Sequence, residues 1–183
     1  MNERKTTDVY LCSAVPDGGV LHYTLSGKGE LTLCDVLPLP SPNYLIFDGD
    51  AAYATLSDAF PETGEGGVIR LCVNADGSLS RAGEPIPTGG SGACHLAVDA
   101  EDLYVANYGS GSVTKIGSPP VLHEGNGPDP IRQDAPHCHC TFFPPTKSIS
   151  WSATSDWIPC SSTTGNCARS LAPKCRTGRA AAI

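Results

Sequence analysis

Residues 123–140, HEGNGPDPIRQDAPHCHC, hold three histidines, two cysteines and an arginine within eighteen positions. Imidazole and thiolate groups bind metal ions, imidazole also moves protons near neutral pH, and a guanidinium group holds carboxylate or phosphate. The stretch could therefore form a metal site, a disulfide clip or a pocket for a small anionic substrate.

Side-chain alternation argues against a metal site built from all of HCHC. If residues 137–142 form a strand, its two histidines point to one face, and its two cysteines and Phe142 point to the other face, into an apolar layer. A site formed by His123, His137 and His139 alone stays open. A disulfide between the two neighbouring cysteines would have to close a very tight ring.

The loop before this strand favours a pocket for an anion. Its glycines and prolines, among them Gly125, Pro128 and Pro136, predict a rigid loop rather than a strand. On such a loop, Arg132 and His123 can be held against a groove, where the planar guanidinium matches a carboxylate or a phosphate.

The positions of these residues depend on a repeat that runs through the chain. Three segments share a strand with tyrosine, a polar glycine-containing turn and a second strand: residues 9–25, 52–73 and 103–116. Val20, Val68 and Val113 open the second strands, at spacings of 48 and 45 residues.

A second series has the same period. The segments YLIFD, HLAVD and HCTFF begin at Tyr44, His95 and His139, so we expect these three residues to occupy equivalent positions. If the segments are the innermost strands of neighbouring units, His95 and His139 converge at a central channel, where histidine can act as a general base toward water.

A period of about 45 residues with about four short strands per unit is typical of a β-propeller blade. We predict an all-β fold, an incomplete β-propeller of about three four-stranded blades, where a complete ring needs about four to eight. A β-sandwich with accidental spacing is the alternative.

The character of the sequence changes after Phe143. Residues 1–143 carry 7 Lys and Arg against 18 Asp and Glu, whereas the tail carries 5 against 1 and contains no valine or tyrosine. We predict a partial propeller domain over residues 8–143 and an irregular or disordered tail over residues 144–183. A sharper hypothesis is that the tail is propeller sequence translated out of frame, because suitable codons would allow the shifted frame to continue the repeat.

Composition limits the partners and the compartment. A net charge of −7 argues against nucleic-acid binding, and no apolar run reaches the length of a membrane span. The N-terminus lacks an apolar signal core, so we expect a cytoplasmic protein. Its cysteines are expected to be reduced and buried, including Cys12, Cys34 and Cys72.

Two long motifs carry a resemblance to a known family. GGSGACHLAVDAEDLYVANYGSGSV (89–113) and the HEGNGPDPIRQDAPHCHC stretch resemble the lactonase family of seven-bladed β-propellers. That family includes cytoplasmic 6-phosphogluconolactonases and, more distantly, carboxy-muconate cyclases. The resemblance is strong over residues 85–143 and weaker over 8–84, and Ala93 stands where the family pattern has proline.

The resemblance implies hydrolysis of a (phospho)sugar lactone without a metal or organic cofactor, as in carbohydrate metabolism and the pentose phosphate pathway. It also implies the site residues. His95, His137 and His139 would line the site, one of them activating water, and Arg132 would hold the substrate anion and offset developing charge. The residues implied for substrate binding are His123, Arg132, Gln133 and Asn107. Which histidine is the base stays open.

Other functions are compatible with the same residues. One is the lactonising chemistry of a carboxy-muconate cyclase, and another is a propeller module that binds a protein partner. The chain could also be an interrupted fragment without activity.

Overall fold

The computed structural model of the chain describes residues 6–99, 102–131 and 133–142 and the backbone of two further strands, 151–154 and 161–162. Regular structure in these residues is antiparallel β-strand in four sheets. The prediction of an all-β fold is confirmed. No helix in the described ranges has the length and hydropathy to cross a membrane.

The first two sheets contain the N-terminal half of the described chain. The first sheet has the order β1–β2–β3, formed by Thr7–Ser13, Gly19–Leu25 and Leu31–Pro38. The second sheet consists of β4 Pro42–Asp48, β5 Ala51–Phe60, β6 Glu65–Val73, β7 Leu79–Arg81 and β8 Ile86–Pro87. Both β7 and β8 pair with β6, so the outer edge of this sheet is made of two short pieces.

The other two sheets contain the chemically interesting motifs. The third sheet consists of β9 Ala93–Asp99, β10 Asp102–Asn107, β11 Ser112–Lys115 and β12 Val121–Leu122. The fourth consists of β13 Cys138–Phe142, β14 Trp151–Thr154 and β15 Ser161–Ser162. In each of these two sheets the strands are ordered as in the sequence, which is the arrangement of a propeller blade.

The core lies between successive sheets. Three clusters of buried apolar residues join the first sheet to the second, the second to the third and the third to the fourth. Leu96, for example, is 0% exposed and packs with Val68 of the second sheet and Val105 of its own sheet. Apolar burial therefore stabilises the side-by-side arrangement of sheets that the repeat predicted.

The first series of equivalent positions is confirmed by strand register. Val20 lies opposite Cys12, Val68 opposite Thr55, and Val113 opposite Ala106, each at the matching point of its hairpin. All three valines are at most 2% exposed.

The second series is wrong at its last member. The three inner strands β4, β9 and β13 each contain a β-bulge, and the extra residues are Asn43, Cys94 and His139. The residue directly after the bulge is Tyr44 in β4, His95 in β9 and Cys140 in β13. Tyr44 and His95 are therefore equivalent to Cys140 and not to His139. A bulge places two residues opposite one, so it shifts the register by one residue.

The same bulge changes the faces of β13. Cys138 and Thr141 are buried, at 0% and 1% exposure, whereas Phe142 is 44% exposed. The prediction that Phe142 points into an apolar layer with both cysteines is therefore wrong, because alternation does not continue through a bulge.

The cysteines match the prediction only in part. No disulfide joins the six cysteines in the described part of the chain. Cys34 and Cys72, however, are exposed rather than buried, and Cys12 is half-buried. Cys34 lies on β3 at the outer edge of the first sheet, and Cys72 follows the buried Leu71 on β6, so alternation turns it outward.

Two observations concern the predicted domain limits. The structure contains parts of four sheets where about three blades were expected, and the first sheet has three strands. Strands β14 and β15 lie beyond residue 143, within the segment predicted to be irregular. The remainder of that segment lies outside the described residues, so the boundary at 143 and the shifted-frame hypothesis stay predictions.

Candidate active site

The candidate site forms where the inner strands β4, β9 and β13 lie side by side. Strand β9 contacts both β4 and β13. The bulge in each strand lies near its start, so the site takes side chains from the first residues of three strands and from the loop that leads into β13.

His95 lies at the centre of this arrangement. Its ring packs on Tyr44 of β4, with 4.2 Å between the ring centroids. On the other side, its Nδ1 accepts a hydrogen bond of 3.3 Å from the backbone N–H of Thr141, and its Nε2 lies 3.7 Å from Sγ of Cys140. His95 therefore bridges all three inner strands.

The charge state of His95 follows from this position. Burial lowers the pKa of His95, and the nearby imidazole of His139 lowers it further. A histidine with a pKa below its ordinary value is predominantly neutral at pH 7, so His95 offers one N–H and one lone pair rather than two donors.

His137 and His139 meet around Tyr108, in the turn between β10 and β11. The ring of His137 stacks on Tyr108, with centroids 4.4 Å apart and planes 12° apart. His139 approaches the edge of the same ring at 5.8 Å. His137 also places Nδ1 3.0 Å from the backbone carbonyl oxygen of Tyr108, and its Nε2 lies 3.9 Å from a carboxylate oxygen of Asp134.

The loop of residues 123–137 is tied to the third sheet. The backbone N–H of His123 donates to the carbonyl oxygen of Gly111, and burial lowers the pKa of His123. The side-chain oxygen of Gln133 accepts a hydrogen bond from the backbone N–H of Asp129. Gln133 packs against Gly127, where a Cβ atom would overlap its side chain. Gln133 thus shapes the loop.

Two other predicted residues need separate treatment. Asn107 is 0% exposed, and its amide nitrogen donates to the hydroxyl groups of Ser112 and Thr114, so it stabilises the turn in which Tyr108 lies. Its direct contact with substrate stays a prediction. Arg132 lies outside the described residues, and its role stays a prediction as well.

The structure adds residues that the motifs did not single out for the site. The candidate histidines contact Tyr44, Tyr108, Asp134 and Thr141. Tyr44 could have been found from its place in the repeat, because it is equivalent to His95. Nothing in the sequence marks Thr141, since its contact depends on the bulge at His139.

Cys94 is expected to resist alkylation in the folded protein. Its Sγ lies 3.5 Å from the carbonyl oxygen of Cys138 and 3.6 Å from that of His139, and burial raises its pKa to about 11. Because thiolate is the reactive form, about one Cys94 side chain in a thousand is reactive at pH 8. We expect peptide mass mapping after a short iodoacetamide pulse to show Cys34, which is exposed, modified at least ~10-fold faster.

Unfolding in urea supplies the control for this measurement, because both thiols should then react at similar rates. Equal rates in the folded protein would show that the inner strands do not enclose Cys94.

Comparison with known proteins identifies the fold family. A family model described as lactonase, 7-bladed beta-propeller, matches residues 9–154. The chain belongs to the lactonase family. The match extends beyond residue 143, where the resemblance seen in the motifs had ended, and it includes β14. A search of curated proteins finds no match.

Solved structures show the same lactonase fold. A protein from Bacteroides fragilis, provisionally named a 6-phosphogluconolactonase, superposes with a TM-score of 0.69 at 23% identity, over 84% of this chain and 46% of its own. A similarly named protein from Bacteroides uniformis gives 0.68 at 23% identity, over 83% and 47%. The periplasmic gluconolactonase of Pseudomonas aeruginosa gives 0.64 at 18% identity, over 81% and 47%. The chain thus spans about half the length of these structures.

Proposed function

We propose that the chain forms the histidine-bearing part of a hydrolase that opens a sugar lactone, with a phosphorylated gluconolactone as substrate. The observation that supports this best is the convergence of three histidines. His137 and His139 contact the ring of Tyr108, and His139 is close enough to His95 to lower its pKa. Membership in the lactonase family supports the choice of a lactone.

The reaction needs a base and an anion-binding group. One histidine takes a proton from water as the water oxygen bonds to the carbonyl carbon of the lactone. The ring C–O bond then breaks, and the proton returns to the ring oxygen, so that the product is the open-chain acid. In this proposal, Arg132 binds the phosphate of the substrate through paired hydrogen bonds.

The assay uses the full chain with two lactones that differ in one group, 6-phosphogluconolactone and gluconolactone. Acid release is followed with a pH indicator, and spontaneous hydrolysis is subtracted. The proposed function requires turnover of the phosphorylated lactone above this background. Loss of an exposed charge outside the site, as in Lys28→Ala, should leave the rate unchanged.

Arg132→Ala is expected to raise KM for the phosphorylated lactone about 10- to 100-fold, which corresponds to the loss of one charge-assisted interaction. KM for gluconolactone should change far less, because it lacks the phosphate. For the phosphorylated lactone, KM of Arg132→Lys should lie between that of the unaltered chain and that of Arg132→Ala, since lysine keeps the charge but lacks the planar guanidinium.

An equal rise in KM for both lactones would contradict the anchoring role of Arg132. Circular dichroism of each variant separates this result from misfolding.

A further inference from the structure

Two histidines of the site are held by backbone groups of opposite hydrogen-bonding character. Nδ1 of His137 lies 3.0 Å from the carbonyl oxygen of Tyr108. A carbonyl oxygen only accepts hydrogen bonds, so Nδ1 must be the protonated nitrogen of neutral His137. Its Nε2 is then left with the lone pair.

His95 has the reverse arrangement. The backbone N–H of Thr141 donates to Nδ1 of His95 at 3.3 Å. A backbone N–H cannot accept a hydrogen bond, so Nδ1 carries the lone pair and the proton of neutral His95 lies on Nε2. The Thr141 hydroxyl, 3.5 Å from the same nitrogen, donates its proton to the carbonyl oxygen of Tyr104 at 3.3 Å, so the assignment rests on the backbone N–H of Thr141.

We infer that the two histidines have different catalytic roles: Nε2 of His137 is the base that takes the proton from water, and Nε2–H of His95 donates to the lactone carbonyl oxygen as it becomes negative. This inference rests on the proposed function. Each ring nitrogen acts in the protonation state that its backbone partner imposes. The proton taken by His137 later returns to the ring oxygen of the opened lactone.

Tyr108 positions His137 for this role, and Asp134 lies near its free nitrogen. The Asp134 carboxylate is 3.9 Å from Nε2 of His137, beyond hydrogen-bonding distance, and it becomes an ion-pair partner only after Nε2 gains a proton. Tyr108 stacks on the ring and keeps Nε2 in place, with His139 on the edge of the same tyrosine. The Asp134 side chain is 67% exposed, so its electrostatic contribution is small.

The structure distinguishes His139 from the other two histidines. Its side chain is exposed, and it is the extra residue of the β13 bulge. A side chain at such a position can contact substrate directly, and in this assignment His139 binds the lactone without carrying the transferred proton.

The tautomers can be measured without any turnover. The full chain, labelled with ¹⁵N-histidine, is examined near pH 7.5 by two-bond ¹H–¹⁵N correlation, which separates Nδ1–H from Nε2–H imidazole. We expect His137 in the Nδ1–H form and His95 in the Nε2–H form. His22 is an internal reference, because its Nε2 lies 2.8 Å from the Asp8 carboxylate and should be protonated. The reverse form, or a mixture, at either site would overturn the inference.

Kinetics of matched variants test the roles. Glutamine keeps an N–H donor but is no base, so His95→Gln should lose about 10-fold or less in kcat, whereas His95→Leu should lose about 10²- to 10³-fold. At position 137, Gln and Leu should both lose at least about 10²-fold, because neither side chain can take the proton. KM should change less than kcat in each case.

These results separate the two proposals. Equal losses in His95→Gln and His95→Leu, or near-normal turnover in His137→Gln, would overturn the roles while lactone hydrolysis by the unaltered chain still supports the proposed function. Absence of hydrolysis by the unaltered chain would overturn the proposed function and the roles with it, whatever the tautomers.

Discussion

Replacing Leu96 with alanine is expected to destabilise the folded protein by about 3 kcal/mol, within the range of about 2–5 kcal/mol typical of buried leucines. Leu96 is 0% exposed and packs between the second and third sheets against Val68 and Val105. The substitution removes apolar contacts and leaves a cavity that a rigid sheet interface fills poorly. The midpoint and slope of urea unfolding, followed by fluorescence, give the free energy of unfolding.

Leu122→Ala is the matched control. Leu122 is 67% exposed on β12, so the same change in side-chain volume should alter the free energy of unfolding by less than about 0.5 kcal/mol. Comparable effects of the two substitutions would show that the second and third sheets do not pack as described. Because Leu96 follows His95 on β9, we also expect Leu96→Ala to lower lactone turnover.

Gly111→Ala is the second substitution with a large expected effect. Gly111 has a φ of +59°, and a Cβ atom there would overlap the backbone carbonyl oxygen of Pro136. The left-handed backbone costs an alanine about 1–2 kcal/mol, and forcing two backbone segments apart adds about 1–3 kcal/mol. We expect a total loss of about 3 kcal/mol, measured by the same unfolding experiment.

Gly117→Ala separates the two contributions to this loss. Gly117 has a φ of +87°, but no atom lies within 4 Å of its added Cβ, so it should cost only the backbone contribution of about 1–2 kcal/mol. Gly111→Ala should also reduce turnover more than Gly117→Ala, because Pro136 precedes His137. Equal free energies of unfolding for the two variants would mean that the turn at Gly111 does not contact the loop at Pro136.

The repeat was predictable from sequence where the same apolar residue type is buried in successive units. Val20, Val68 and Val113 are each at most 2% exposed at the matching point of a hairpin, so their common spacing reports equivalent core positions. The succession of sheets followed from this periodicity.

The inner strands were less predictable because no residue type marks a β-bulge in the sequence. The three extra residues, Asn43, Cys94 and His139, have no shared chemistry, so a comparison by spacing placed His139 opposite Tyr44 and His95. Propensity and pattern describe a regular strand, whereas the extra residue is selected by packing around three adjacent strands. The exposure of Phe142 was missed for the same reason.

The candidate site was predictable in its residue types but not in its contacts. The three histidines could be found from HCHC and the motif around His95, because imidazole chemistry is specific. Their hydrogen-bond partners could not, since Tyr108 and Thr141 hold the Nδ1 atoms of His137 and His95 through backbone groups, which every residue has. Tertiary geometry alone decides which backbone group meets which ring nitrogen.

The repeated bulge also separates chemistry from folding. Since the extra side chains Asn43 and His139 are exposed, mutation at either can alter what a ligand meets without disturbing the hydrophobic layers behind it, whereas Cys94 packs against the third of these layers. Such positions let one scaffold acquire new substrates through single amino-acid changes, one blade at a time.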